Sequence, residues 1–86
     1  MHINQYVMVP SKPRNMSQEE ARLVRAFASN LKKLRKLRKI SQFDMVDFGF
    51  NYRHYQRIES GKYSPSLDTL IRLAKVFKVK VTDLLK

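Results

Sequence analysis

Tyr52, Arg53, Gln56 and Arg57 fall within six residues. At helical spacing they share an outward surface while Tyr55 and Ile58, three apart, turn the other way. Arg and Gln carry paired, coplanar hydrogen-bonding atoms: a guanidinium fork matches O6 and N7 of guanine, a carboxamide matches N6 and N7 of adenine. Such a set is suited to recognising flat hydrogen-bonding edges, those of nucleobases above all. An ordinary solvated helix face is the bland alternative. His54 reads first as a solvated residue of the same helix, with a phosphate or base contact as the second reading and metal ligation a distant third.

Little else in the chain offers chemistry. Two separated histidines, seven acids, two distant glycines and no cysteine provide no nucleophilic triad, carboxylate pair, phosphate-cradling loop or metal-ligand cluster. The expectation is a protein that is not an enzyme, uses no cofactor and binds no metal. Against those seven acids stand 18 Lys and Arg, a net charge of +11, which selects a polyanionic partner, nucleic acid or an anionic membrane surface. No apolar run approaches the roughly 20 residues of a membrane span, and the amino end lacks a signal-peptide pattern. A soluble, cytoplasmic, nucleoid-associated protein is expected. The first 40 residues hold ten cations and two acids, and residues 32–39 hold six of those cations, read by default as a solvated helix face.

The elements that must position these side chains are short helices. Pro10 and Pro13 make residues 1–16 an extended or disordered arm. Ser17 and Glu20 have capping-box spacing, and Val24, Phe27, Ala28, Leu31, Leu34 and Leu37 mark one apolar stripe of a helix over 18–39. Leu23 and Ala26 lie off it. Ser41 caps a short helix over 42–48 with Met45 and Val46 inward. Gly49 supplies a turn at positive φ, Asn51 caps a helix over 52–60, and Gly61 closes it. Ser66 caps a helix over 67–77 with Leu67, Leu70, Ile71, Ala74 and Phe77 inward, and a last helix covers 81–85. Residues 17–86 thus form one all-α domain. Two short helices about a glycine turn are the geometry that places one helix in the DNA major groove.

Over residues 27–85 the chain resembles the Cro and lambda-repressor type of helix-turn-helix domain, the XRE family. The resemblance is carried by Leu34-Arg35-Lys36, Ser41-Gln42, Gly49, Ile58-Glu59-Ser60-Gly61-Lys62, the run from Pro65 to Leu70, Leu73-Ala74 and Asp83-Leu84-Leu85. It implies a compact five-helix, lambda-repressor-like fold. By position it implies that Gln42 contacts DNA backbone and steadies the reading helix, and that Tyr52, Arg53, Gln56 and Arg57 face bases. It also implies that Lys62, Tyr63 and Ser64 hold phosphates, and that Glu59 pairs with Arg35 in a partly buried structural ion pair. Asn51 could add a phosphate contact to its cap.

Three departures from the family pattern stand out. Gly49 follows Gln42 by seven residues instead of eight; Tyr55 sits where a smaller aliphatic is usual and needs a polar partner; Lys78 and Lys80 replace a glycine and a capping Ser or Thr. The implied partner is double-stranded DNA, read as a palindromic operator by a homodimer, the mode expected of a transcriptional repressor. Dimer contacts are assigned to Val76, Val81 and Leu85, to Leu23 and Ala26, or to the arm. The competing reading is an antitoxin or protein-interaction module that binds a protein through residues 1–26 and DNA only for autoregulation. Lys12-Pro13-Arg14 could alternatively enter a minor groove.

Overall fold

The computed structural model describes residues 15–86; most of the expected arm, and with it Lys12-Pro13-Arg14, lies outside them. Among the described residues the order is α1 (Gln18–Leu37), a 3-10 helix (Phe43–Phe48), α2 (Tyr52–Glu59), α3 (Leu67–Phe77) and α4 (Val81–Leu84), with no strand. None of these helices is long and apolar enough to cross a membrane.

Ser17 starts α1: its hydroxyl accepts from the Glu20 N–H at 3.1 Å, satisfying one of the donors that a helix N-terminus leaves unpaired. Val24, Phe27, Ala28 and Leu31 are buried, the stripe expected from the spacing. Leu37 is not: it is 77% exposed. The helix ends on it, and the chain reverses through Lys39 at φ 57°. Ile40 then donates to the Arg35 carbonyl at 3.1 Å and Lys39 to that of Lys36 at 3.0 Å, a Schellman closure. Ile40, rather than Leu37, packs on the core.

The segment after Ser41 winds more tightly than an α-helix. Ser41 and Asp44 cap it reciprocally, hydroxyl to Asp44 N–H at 3.0 Å and carboxylate to Ser41 N–H at 2.7 Å. A 3-10 helix rises about 2.0 Å per residue and an α-helix about 1.5 Å. The tighter winding therefore accounts for the spacing from Gln42 to Gly49 being one residue short, because fewer residues cover the same distance. It also corrects the expectation for Val46. Successive residues differ by about 120° on three residues per turn, so with Met45 fully buried Val46 swings out to 41% exposure.

Ser66 caps α3, accepting from the Thr69 N–H at 3.1 Å. The buried face is Leu73, Ala74 and Phe77, with Leu70 partly buried beside them. Leu67 at 67% and Ile71 at 40% exposure correct the expected face: Leu70, Leu73, Ala74 and Phe77 form the i, i+3, i+4, i+7 set, and Ile71 lies roughly 100° past Leu70. Lys78, at φ 57°, closes α3 as Lys39 closes α1, with Val79 donating to the Ala74 carbonyl at 3.0 Å. Asp83 accepts from the Lys80 N–H at 3.1 Å, so the start of α4 is capped from within although Lys80 has no capping hydroxyl. Asn30 on α1 donates to the carbonyls of Leu84 at 3.0 Å and Lys86 at 3.3 Å, and Arg38 donates to the Phe77 carbonyl. The ends of α3 and α4 are thereby tied to α1.

Candidate nucleic-acid interface

Everything on the interface depends on how α2 is held. Gly49, at φ 93°, turns the chain out of the 3-10 helix in a conformation that costs a residue with a Cβ. Asn51 then caps α2, its Oδ1 accepting from the His54 N–H at 3.0 Å. Phe50, one residue before the cap, meets Tyr55 edge to face with centroids 6.0 Å apart. This is the hydrophobic staple that fixes the angle at which a chain enters a helix. Arg72 of α3 covers the outer side of Phe50, its guanidinium 4.4 Å from the ring centroid, and donates to the Gly49 carbonyl at 3.2 Å.

At the other end of α2, Glu59 is anchored by three side chains, two of them from outside the helix. Arg35 of α1 grips it with Nε to Oε2 at 2.6 Å and Nη2 to Oε1 at 3.0 Å. Gln42 donates to Oε1 at 3.0 Å, and the Tyr55 hydroxyl to Oε2 at 2.5 Å. The Glu59 side chain is 1% exposed, a burial tolerable for a charge only with such complete pairing. Burial pushes the Glu59 carboxyl up, but the hydrogen bonds from Arg35, Tyr55 and Gln42 outweigh it and leave the group below the ordinary carboxylate range. Burial, reinforced by Glu59, drives the Tyr55 hydroxyl far above the usual phenol range. The expected Arg35–Glu59 pair is therefore present, and the partner Tyr55 needed is the same carboxylate.

With its inner side fixed, α2 exposes Tyr52, Arg53, Gln56 and Arg57. Arg53, Gln56 and Arg57 line one shallow cleft with Ser60. Gln42 is half-buried, and the carboxamide whose nitrogen binds Glu59 turns its oxygen toward Gln56 Nε2 at 3.5 Å. Gln56 Nε2 also donates to the Tyr52 hydroxyl at 3.2 Å. A hydrogen-bonded line thus runs from buried Arg35 through Glu59, Gln42 and Gln56 to Tyr52. Both amide protons of Gln56 are engaged within the protein, so a bidentate adenine contact has to displace one of them, whereas the Gln56 carbonyl oxygen remains to accept.

The other side of the helix is tied to the following loop. Tyr63 is met edge to face by His54, centroids 5.5 Å apart, while the Arg57 guanidinium lies 5.0 Å from its ring centroid. His54 is half-buried by this contact instead of freely solvated. Lys62 is exposed, its N–H held by the Ser60 hydroxyl at 3.1 Å. Ser64 is set apart from the outward face of α2: it lines an apolar groove with Leu23, Val24, Phe27, Pro65, Leu70 and Leu85. That groove also unites Leu23 and Leu85, two residues picked out for contacts with a partner.

Other residues of this surface escape a reading of the sequence. Arg25 and Lys32 of α1 line a cleft with Ser60 and Gly61 at the end of α2, adding two cations beside the loop expected to hold phosphates. Their i, i+7 spacing was the available signal. Phe43, 63% exposed, meets Tyr52 edge to face with centroids 5.3 Å apart. Phe50 and Arg72, which set the turn, were legible only as a hydrophobic residue before a cap and a cation on α3. Among the described residues no group of three or more His, Cys, Asp or Glu is placed to hold a metal ion.

Comparison with known proteins bears on this arrangement. A family profile described as helix-turn-helix matches residues 31–84. The chain is 39% identical over 61 residues to the SPbeta prophage-derived uncharacterized HTH-type transcriptional regulator YonR of Bacillus subtilis (strain 168), an alignment covering 70% of this chain and 56% of that protein. The chain thus spans little more than half the length of this relative. No solved structure matches it.

Proposed function

The chain belongs to the helix-turn-helix family, and from that premise we propose that it is a sequence-specific DNA-binding transcription regulator, most simply a repressor that binds a palindromic operator as a homodimer. The observation that carries this reading is the division of α2: Tyr55, Ile58 and Glu59 are buried, and Tyr52, Arg53, Gln56 and Arg57 are left outward on a helix clamped at both ends. Arg53 has no side-chain partner among the described residues and takes the guanine fork. Arg57, steadied over Tyr63, takes a second base or the adjacent phosphate. Gln42, Asn51, His54, Lys62 and Tyr63 form the backbone-holding rim, which Arg25 and Lys32 extend, while Ser64, turned to the apolar groove, is left out of it.

One short helix reads few base pairs. Useful specificity is reached by two copies on half-sites roughly 34 Å apart. Selection of bound duplexes from a random pool, at two salt concentrations, tests the proposal. A recovered palindrome supports it, and strong binding without sequence enrichment rejects it. On the recovered site, Arg53→Ala is expected to relax preference at one base position, with about 1–3 kcal/mol lost at the matched base, while Lys62→Ala weakens all sequences alike. Identical effects of the two variants would remove the assignment of Arg53 to a base.

A further inference from the structure

We propose that Phe43, together with Tyr52, reads the 5-methyl group of a thymine at one position of each half-site, making Phe43 a specificity-determining residue. This rests on the placement of α2 in the major groove proposed above. Phe43 opens the 3-10 helix directly after Gln42 and is 63% exposed. Its ring touches Tyr52 edge to face at 5.3 Å between centroids, and Tyr52 is itself 39% exposed on the first turn of α2. The phenol is fixed at both ends, by Phe43 at the ring and by Gln56 at the hydroxyl, 3.2 Å away. The two aromatics therefore make a preset apolar step that runs directly into the Gln56–Gln42 amides.

Its chemistry narrows the occupant. A phosphate gains nothing from two uncharged ring edges, and the Phe43 ring has no hydrogen bond to offer a base. In the major groove the apolar feature by which base pairs differ is the thymine methyl, which aromatic and aliphatic side chains meet by contact. The step is continuous with the hydrogen-bonding face of α2, so a base pair next to one read by Gln56 would present its methyl there. Phe43 is absent from the buried cluster around Leu31, Met45 and Tyr55 and from the partly buried residues packed against it, so the core gives no reason for an aromatic at this position.

The test is a chemical double-mutant cycle on the selected operator. Each thymine is replaced in turn by deoxyuridine, which removes only the methyl, and binding is measured for the wild-type chain and for Phe43→Ala. The wild type is expected to lose about fourfold at one thymine per half-site, the worth of one buried CH2. Phe43→Ala should be indifferent to that replacement while still discriminating at the base read by Arg53. An unchanged melting temperature establishes that the variant is folded; Phe43→Leu, which keeps apolar bulk, should restore part of the methyl preference and serves the same cycle if Phe43→Ala is unstable. Selective binding with no methyl-dependent thymine, or with the same loss in wild type and variant, overturns the methyl contact and leaves the regulator reading intact. Failure to bind any sequence selectively overturns both.

Discussion

Glu59 shows at the scale of one residue how fold and interface share a part. Its carboxylate accepts from Arg35, Gln42 and Tyr55, and removing it would leave a buried guanidinium without its counter-charge. Glu59→Ala is expected to destabilise the domain by about 3–5 kcal/mol, seen as a lowered urea midpoint; an unchanged midpoint would disprove the role of the pair. Tyr55→Phe, which deletes one hydrogen bond to that charge, should cost about 1.5–3 kcal/mol. The pH dependence has a definite sign. Glu59 is held below its ordinary range in the folded chain, so the folded state binds fewer protons than the unfolded one. Its contribution is complete above the unfolded carboxylate pKa of roughly 4.3 and is lost as pH falls through the lower folded value. Melting temperature should fall on acidification below about pH 4, and Glu59→Gln should flatten that fall.

At the scale of elements, two of the turns that end helices are made without glycine. Lys39 and Lys78 both occupy left-handed backbone at φ 57°, where a Cβ is disfavoured by roughly 1–2 kcal/mol. Lys78→Gly should therefore stabilise the domain by about 1 kcal/mol and raise its melting temperature by about 4–8 °C, provided the Val79 to Ala74 closure is kept; a lowered melting temperature would show that Lys78 contributes something its backbone conformation does not reveal. Asn51→Ala, which removes the cap of α2, should cost about 1 kcal/mol. It should also reduce DNA affinity, since frayed first-turn residues include Tyr52 and Arg53.

For the whole molecule the governing quantity is charge. With a net +11, the proposed affinity for DNA is expected to fall steeply with salt, by about 0.9 in log-log slope for each phosphate neutralised. Arg25→Ala and Lys32→Ala, on the α1 flank of the cleft at Gly61, should each reduce that slope by about 1 without changing the preferred sequence. Equal slopes in wild type and variants would place both cations off the DNA.

The sequence by itself determined the caps, the buried stripe of α1, the turn at Gly49, the outward face of α2 and the Arg35–Glu59 pairing, the last through resemblance. Each of these depends on residues close together in the chain or on a motif repeated in order. Tertiary structure decided what depends on neighbours distant in sequence. Met45 is inward and Val46 outward because the segment winds as a 3-10 helix; Leu67, Ile71 and Leu37 are exposed because the core lies on another side of them or ends before them. Phe43 lies against the outward face of α2 because the 3-10 helix packs its first residue beside Tyr52. So α2, singled out from its own residues, remains the centre of the molecule. The orientation of its side chains is set by Glu59, Gln42, Phe43 and Tyr63, contacts that periodicity cannot register because they join elements whose relative placement only the packed core fixes.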